Sequence, residues 1–141
     1  MLDLNNFNQA IGSLAGAGNV GLGSAVLTTG SDGTSTTYSG AIGGSGGVTK
    51  VGTGTWTLSG TNAYTGPTNV NGGTLSVNGS IATSSVLNVN SGGTVGGAGT
   101  LPTTNINAGG TLSPATRPAR SRLPAISRFR PPRPIWFRYK A

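Results

Sequence analysis

The sequence predicts an all-β protein, a parallel β-helix whose successive coils stack on one another. Three observations lead to this prediction: a phrase that recurs three times, short runs in which apolar and polar residues alternate, and a body rich in glycine. Each copy of the phrase places Asn-Val-Asn or Asn-Ile-Asn before Gly-Gly-Thr, and the copies lie at residues 69–75, 88–95 and 105–112. The threonine advances from Thr74 to Thr94 to Thr111, a step of 20 and then 17 residues. A strand–turn–strand unit that recurs at this period indicates a solenoid.

The composition is consistent with a solenoid and unfavourable for a compact globule. The chain has 141 residues, of which 34% are hydrophobic and 26 are glycine. These numbers allow one domain at most. A coil of a β-helix needs only a few inward apolar side chains, whereas a globular core needs many. Cysteine is absent, which excludes disulfide bonds and thiolate metal sites.

The charge divides the chain into two segments. The net charge is +7, yet residues 1–113 carry one cation and two anions, and the other eight cations lie at residues 114–141. All 26 glycines precede residue 114, and six of the eight prolines follow residue 113. We therefore predict a β-helical body over residues 1–114 and a disordered basic tail over residues 115–141.

The strands of the body can be placed in order from local patterns. The candidate strands before residue 48 are residues 11–14, 20–22, 25–28 and 37–42, with turn clusters at 30–33 and 43–47. After residue 48 the alternation is clearer, because Trp56 and Leu58, and then Leu75 and Val77, alternate with Thr and Ser. No segment shows a helical period, so little or no helix is expected before residue 114. The body should form roughly five coils, a stack about 25 Å long.

Residues 47–75 carry a family resemblance. They contain Lys50-x-Gly-x-Gly-Thr, then Leu-Ser-Gly, then Tyr64-Thr-Gly, and close on Gly-Gly-Thr-Leu. This segment closely resembles the passenger-associated transport repeat of bacterial autotransporters. Trp56 departs from the pattern, because leucine is usual there. Flanking sequence also resembles passenger sequence, so the resemblance spans most of residues 2–114.

The resemblance implies a segment of a secreted passenger, a right-handed parallel β-helix exposed at the cell surface or outside the cell through type V secretion. A passenger of this kind is carried by a C-terminal outer-membrane β-barrel, which this sequence is not predicted to contain. The implied partners are that barrel and the neighbouring coils of the parent passenger. The implied role is a non-catalytic structural stem, whose repeat assists folding and transport. The alternative is a surface adhesin or binding module. The N-terminus lacks the basic start and apolar core of a signal peptide.

The tail departs from the family pattern after Pro114. Restoring one lost base before the codon of Ala115 allows Ala115-Thr116-Arg117-Pro118-Ala119 to be read as Gly-Asn-Ser-Pro-Gly, which resembles the usual continuation. Our hypothesis is that residues 115–141 are an out-of-frame translation of passenger sequence, so that the chain is a fragment. The alternative is an arm that binds polyanions non-specifically through its eight cations, without specific nucleic-acid recognition.

The sequence offers no convincing catalytic, cofactor or metal site. The body contains Asp3, Asp32 and Lys50 but neither Glu nor His. A catalytic carboxylate pair must lie within several ångströms, and these two aspartates could meet only by stacking. A Ser-His-Asp triad is impossible without His. The cluster at 43–47 lacks the Asp of calcium-binding repeats, and the glycines at 92–99 are not followed by the Lys-Ser/Thr of a phosphate loop. No enzyme and no cofactor are expected.

Three other patterns have both a structural and a functional interpretation. The asparagine pairs 69/71, 88/90 and 105/107 could form ladders that make a polar binding strip, although turn residues that bond their own backbone are favoured. Thr53, Thr55 and Thr57 resemble an ice-binding array but do not recur as a set. Trp56 and Tyr64 could stack on sugars, although packing in the coil interior is favoured.

Overall fold

The computed structural model of the chain describes residues 1–114, which form fourteen short strands and no helix. The predicted tail, residues 115–141, lies outside the described residues. The strands are β1 (Leu2–Asp3), β2 (Gln9–Ile11), β3 (Val20–Gly21), β4 (Leu27–Thr29), β5 (Thr36–Tyr38), β6 (Ile42–Gly43), β7 (Val48–Lys50), β8 (Thr55–Leu58), β9 (Thr68–Val70), β10 (Gly73–Val77), β11 (Leu87–Val89), β12 (Gly93–Gly97), β13 (Thr104–Ile106) and β14 (Thr111–Pro114).

The strands form three parallel sheets that run along the solenoid. The longest sheet has six strands in the order β13-β11-β9-β7-β4-β2, and the second has five in the order β14-β12-β10-β8-β5. The third contains β1-β3-β6. Each strand pairs with its counterpart one coil away, which confirms the parallel β-solenoid. The six-stranded sheet implies about six turns rather than the five predicted, because β2 already forms part of a first coil.

The recurring phrase sets the register between coils. Asn69 pairs with Asn88 and Asn88 with Asn105 in the six-stranded sheet. Thr74 pairs with Thr94 and Thr94 with Thr111 in the five-stranded sheet. Identical positions of the phrase therefore lie directly above one another, as the sequence period predicted.

The core is a set of inward columns, one side chain per coil. In the five-stranded sheet Trp56, Leu75 and Val95 stack in one column, with Leu58 and Val77 in the next. All five side chains are buried, whereas the intervening residues of the same strands face outward. Since side chains alternate between the two faces of a strand, the period-2 pattern of the sequence gives one apolar face per strand. The predicted alternation at Trp56/Leu58 and Leu75/Val77 is confirmed.

Sharp corners join the two long sheets. Gly73 ends the corner between β9 and β10 with a φ of 62°, a left-handed conformation that favours glycine. A Cβ at Gly73 would lie 2.3 Å from the carbonyl oxygen of Gly54 in the preceding coil. Both the backbone conformation and the close approach of the next coil therefore require glycine at this position.

The strands before residue 48 differ most from the prediction. The strand predicted at 11–14 is β2, which lies at Gln9–Ile11, and the strand predicted at 25–28 is β4, which lies at Leu27–Thr29. The predicted strand at 37–42 is in fact two strands in different sheets, β5 and β6. The break falls at Gly40, where a Cβ would lie 2.1 Å from the carbonyl oxygen of Gly18. Only a residue without a side chain allows the chain to turn there against the previous coil.

Residues 1–114 contain no helix long and apolar enough to span a membrane.

Candidate functional site

The most regular polar surface of the described residues is a pair of asparagine columns, which we call the asparagine ladder. Its members are Asn69, Asn88 and Asn105 in one column and Asn71, Asn90 and Asn107 in the other. The first column lies on the outward face of the six-stranded sheet, because Asn69 and Asn88 occupy the middle of β9 and β11. The second column lies at the corners that follow these strands.

The carboxamides of the ladder bond to one another from coil to coil. Asn88 Nδ2 donates to Asn69 Oδ1 at 3.1 Å, and Asn105 Nδ2 donates to Asn88 Oδ1 at 3.2 Å. In the corner column, Asn90 donates to Asn71 and Asn107 to Asn90, both at 2.7 Å. The favoured sequence interpretation, in which each asparagine bonds its own backbone, is therefore wrong. The identical amide one coil away lies at the strand spacing, so that each amide can bond its neighbour.

Threonine forms a second outward column, on the five-stranded sheet. Thr55 pairs with Thr74, and the column continues through Thr94 to Thr111. The neighbouring outward column holds Thr57 but continues through Ser76 to Gly96. The Thr-x-Thr pair of β8 is therefore not repeated as a pair along the sheet, and Thr53 lies outside the strands.

Lys50 is buried at the inner side of the corner between β7 and β8. Its side chain is 1% exposed, and Nζ lies 2.5 Å from the carbonyl oxygen of Val51. It also lies 3.5 Å from the carbonyl oxygens of Gly52 and Gly72, so the ammonium joins corners of two successive coils. Burial lowers the pKa of Lys50, because the charged form loses solvation. The ammonium thus supplies donors to carbonyl groups at the corners and is withdrawn from the surface.

Tyr64 heads a buried hydrogen-bonded chain. Its hydroxyl lies 2.6 Å from Thr68 Oγ1, which lies 2.9 Å from Ser84 Oγ. Ser84 Oγ in turn donates to the carbonyl oxygen of Gly66 at 2.8 Å. Burial raises the pKa of Tyr64 to about 12, because the phenolate would lose solvation, and the bond to Thr68 offsets only part of this. This series of hydrogen bonds connects β9 to the following coil through the interior.

We expect stability to fall at alkaline pH because of Tyr64. The phenol ionises near pH 10 in an unfolded chain and near 12 here, so its contribution is complete below 10 and is lost as pH rises to 12. The difference corresponds to about 3 kcal/mol of unfolding free energy. Urea unfolding followed by circular dichroism should show this loss of stability in the natural chain. In Tyr64→Phe most of the loss should be absent. Burial also raises the pKa of Tyr38, so Tyr38→Phe, which keeps Tyr64, measures the share of the loss that is due to Tyr38. Parallel pH curves for the natural chain and Tyr64→Phe would contradict the assignment.

The two aromatic candidates for sugar stacking are core residues. Trp56 is 2% exposed and its indole N–H donates to the carbonyl oxygen of Leu14 at 3.1 Å. Tyr64 is fully buried. Neither ring presents a face to a ligand. The packing interpretation favoured from the sequence describes both residues correctly.

The two aspartates lie apart and serve local turns. Asp3 Oδ1 accepts a hydrogen bond from the backbone N–H of Asn5 at 2.9 Å. Asp32 Oδ1 accepts from the backbone N–H of Thr34 at 2.9 Å and from its hydroxyl at 2.7 Å. The bonds from Thr34 lower the pKa of Asp32. Within residues 1–114 no three His, Cys, Asp or Glu side chains converge in a way that could hold a metal ion.

The glycine cluster at 43–47 forms a close contact between coils. A Cβ at Gly46 would lie 1.8 Å from the carbonyl oxygen of Ala25, and one at Gly47 would lie 2.3 Å from that of Pro67. Both glycines are buried between the coils before and after them. The cluster therefore acts as a corner, as the sequence indicated.

Residues 48–77 match the family described as passenger-associated-transport-repeat. The match begins at the first residue of β7 and ends at the last residue of β10. It includes the buried Lys50, the interior Trp56 and Tyr64, and the corner glycine Gly73. No curated protein and no solved structure matches the chain. The chain thus carries one such repeat within a β-solenoid of the kind expected for an autotransporter passenger.

Proposed function

We propose that residues 1–114 are a non-catalytic structural stem segment of a secreted autotransporter passenger, displayed at the cell surface or released outside the cell. In this proposal the repeat at residues 48–77 assists the folding of neighbouring coils during transport. The observation that carries the proposal is the position of the matched repeat. It covers two successive coils in the middle of the stack, and its buried groups bond across the junctions between coils.

The stack is suited to continuation by further coils. Ile106 lies in the same column as the buried Val89, and Leu112 in the same column as the buried Val95. Both are nonetheless exposed, at 42% and 47%, because no coil of residues 1–114 lies beyond them. Another coil of a parent passenger would cover these side chains and pair with β13 and β14. Neighbouring coils are therefore the partner that this end of the stack fits best.

A display experiment tests the role of the repeat. Residues 48–77 would replace the equivalent repeat of a passenger that is secreted and anchored at a bacterial surface. We expect full display of protease-resistant passenger with the natural segment, and strongly reduced resistance with a scrambled segment of identical composition. Total passenger in the cells, measured by immunoblot, controls for expression. Equal resistance with the scrambled segment would show that the repeat does not assist folding.

A surface adhesin is the second candidate, and the asparagine ladder is the observation that favours it. Each carboxamide nitrogen has two hydrogens and uses at most one within the ladder, and each oxygen keeps at least one lone pair. The ladder thus offers spare donors and acceptors at intervals of about 4.8 Å along the outer face. An extended polymer with repeated hydroxyl groups has the chemistry to bond to such a row. A second display experiment with residues 48–112 presents the whole ladder, and adhesion that is lost when its asparagines are replaced would support this candidate over a purely structural stem.

The polyanion-binding alternative depends on the basic tail, which lies outside the described residues. It stays a prediction from the eight cations of residues 114–141. The same holds for the hypothesis that residues 115–141 arise from an out-of-frame translation.

A further inference from the structure

Two Asn-Gly pairs occur in the chain, Asn71-Gly72 and Asn78-Gly79. In such a pair the backbone nitrogen of the glycine can attack the side-chain carboxamide of the asparagine, because no side chain on the glycine hinders the approach. The sequence alone gives the two pairs equal reactivity. The structure distinguishes them by the hydrogen bonding of the attacking nitrogen.

The nitrogen of Gly72 is free to react and that of Gly79 is not. Within residues 1–114 the N–H of Gly72 has no hydrogen-bond acceptor. The N–H of Gly79 donates to the carbonyl oxygen of Leu58 in the preceding coil at 3.0 Å. Attack requires loss of this proton and a free lone pair, so the bond to Leu58 protects the second pair. Asn71 and Asn78 are both exposed, so exposure does not decide between them.

The asparagine ladder holds the reacting carboxamide of Asn71. Asn90 Nδ2 donates to Asn71 Oδ1 at 2.7 Å. This oxygen becomes an oxyanion when the backbone nitrogen adds to the carbonyl carbon, and a donor already in place stabilises that developing charge. Asn71 is the first member of its column, so its own Nδ2 has no bond to an earlier coil. The side-chain nitrogen of Asn71, which leaves as ammonia, is therefore not held by the ladder.

We propose that Asn71 is a site of spontaneous deamidation in the folded chain, with Asn90 as the residue that positions its carboxamide. The Gly72 nitrogen loses its proton and bonds to Asn71 Cγ, the bond from Cγ to Nδ2 breaks, and ammonia leaves. Water then opens the cyclic imide at either carbonyl and gives aspartate or isoaspartate. The balance is one water consumed and one ammonia released. No enzyme, metal or oxidant is required.

The two products affect the coil differently. Aspartate keeps an oxygen in the position of Oδ1, so Asn90 continues to donate, now to a charged acceptor, which strengthens the bond. Isoaspartate adds a carbon to the main chain just before Gly72, in a corner where a Cβ at Gly72 or Gly73 would lie 2.9 or 2.3 Å from a carbonyl oxygen of the preceding coil. Either product adds one negative charge to the outer corner. The fraction of molecules that carry this extra negative charge therefore increases with the age of the protein.

Peptide mapping by tandem mass spectrometry tests the site. The full chain would be incubated in mildly alkaline buffer, folded or in concentrated urea, and the modified fraction at Asn71 and Asn78 followed with time. We expect Asn71 to react faster than Asn78 by about fivefold or more when folded, the effect of one hydrogen bond. In urea the two rates should converge, because both pairs are Asn-Gly. Equal rates in the folded chain, or a faster Asn78, would overturn the proposal.

The variant Asn90→Ala tests the positioning role. Circular dichroism first establishes that this substitution at a half-buried position leaves the fold intact. Deamidation at Asn71 should then slow severalfold in the folded chain and be unchanged in urea. The matched control is Asn88→Ala in the parallel column, which removes a ladder amide that does not touch Asn71. An unchanged or faster rate at Asn71 in Asn90→Ala would overturn the assignment of Asn90.

Discussion

Replacing Lys50 by glutamate is expected to abolish stable folding of the coils. The carboxylate would lie where the ammonium now donates to the carbonyl oxygens of Val51, Gly52 and Gly72. A buried negative charge against three carbonyl oxygens has no compensating partner, and breaking a buried charged contact costs about 3–5 kcal/mol. Domains of this size have a total stability of about 5–15 kcal/mol. The far-ultraviolet β spectrum of Lys50→Glu should therefore be weak or melt without cooperativity.

Thr49→Glu is the matched control for this substitution. Thr49 neighbours Lys50 on β7 but faces outward, in register with Thr28 and Asn69. The same carboxylate there stays in contact with water and should cost less than about 1 kcal/mol. Lys50→Met distinguishes the effect of losing the charge from the effect of losing side-chain volume. Methionine fills the space but leaves the carbonyl groups without the donor. If Lys50→Glu melts like the natural chain, the ammonium does not hold the two corners together.

Trp56→Ala is expected to have the next largest effect. The ring is buried between Thr36 and Leu75 in the inner column of the five-stranded sheet. Its removal leaves a large cavity and deprives the carbonyl oxygen of Leu14 of its indole donor, for a loss of about 3–5 kcal/mol. Urea unfolding followed by circular dichroism measures this loss. The loss is expected to be larger than for any outward substitution on β8.

Two further substitutions sharpen the experiment on Trp56. Trp56→Leu introduces the residue that is usual in the repeat, and it should cost less than alanine because it leaves a smaller cavity. Thr57→Ala on the same strand faces outward and should stay within about 0.5 kcal/mol of the natural chain. If Trp56→Ala is no more harmful than Thr57→Ala, the ring does not contribute to the core as its burial indicates.

The fold could be predicted from the sequence where the repeat is regular. The recurring Gly-Gly-Thr placed Thr74, Thr94 and Thr111 in one column, and alternation placed Trp56 and Leu58 inside. Before residue 48 the repeat is degenerate, and the prediction joined β5 and β6 into one strand. The cause of the break, contact between Gly40 and Gly18 of the previous coil, depends on which coils become neighbours. Local patterns do not contain that information.

The polar groups were harder to predict than the core. Local propensity favours asparagine that bonds its own backbone, whereas the structure pairs Asn88 with Asn69 across coils. The sequence predicted nothing about the surroundings of Lys50, and the structure buries it. The partner of Asn88 lies about one period away along the chain, as does Gly72, one of the three acceptors of Lys50, whereas the other two lie within two residues of it. A comparison of residues at equal positions in successive periods would have revealed the ladder, whereas no local pattern indicates that the carbonyl group of Gly72 lies beside Lys50.

The corner after the asparagine column tolerates a change in length. Two residues separate Asn71 from Thr74, whereas three separate Asn90 from Thr94. Asn90 nevertheless bonds Asn71, and Thr94 pairs with Thr74, so the strands on both sides keep their register. The extra residue is absorbed by moving the left-handed glycine from Gly73 to Gly92. Genes for such coils can therefore gain or lose a codon at this corner without a shift in any strand, so insertions and deletions should accumulate there during evolution.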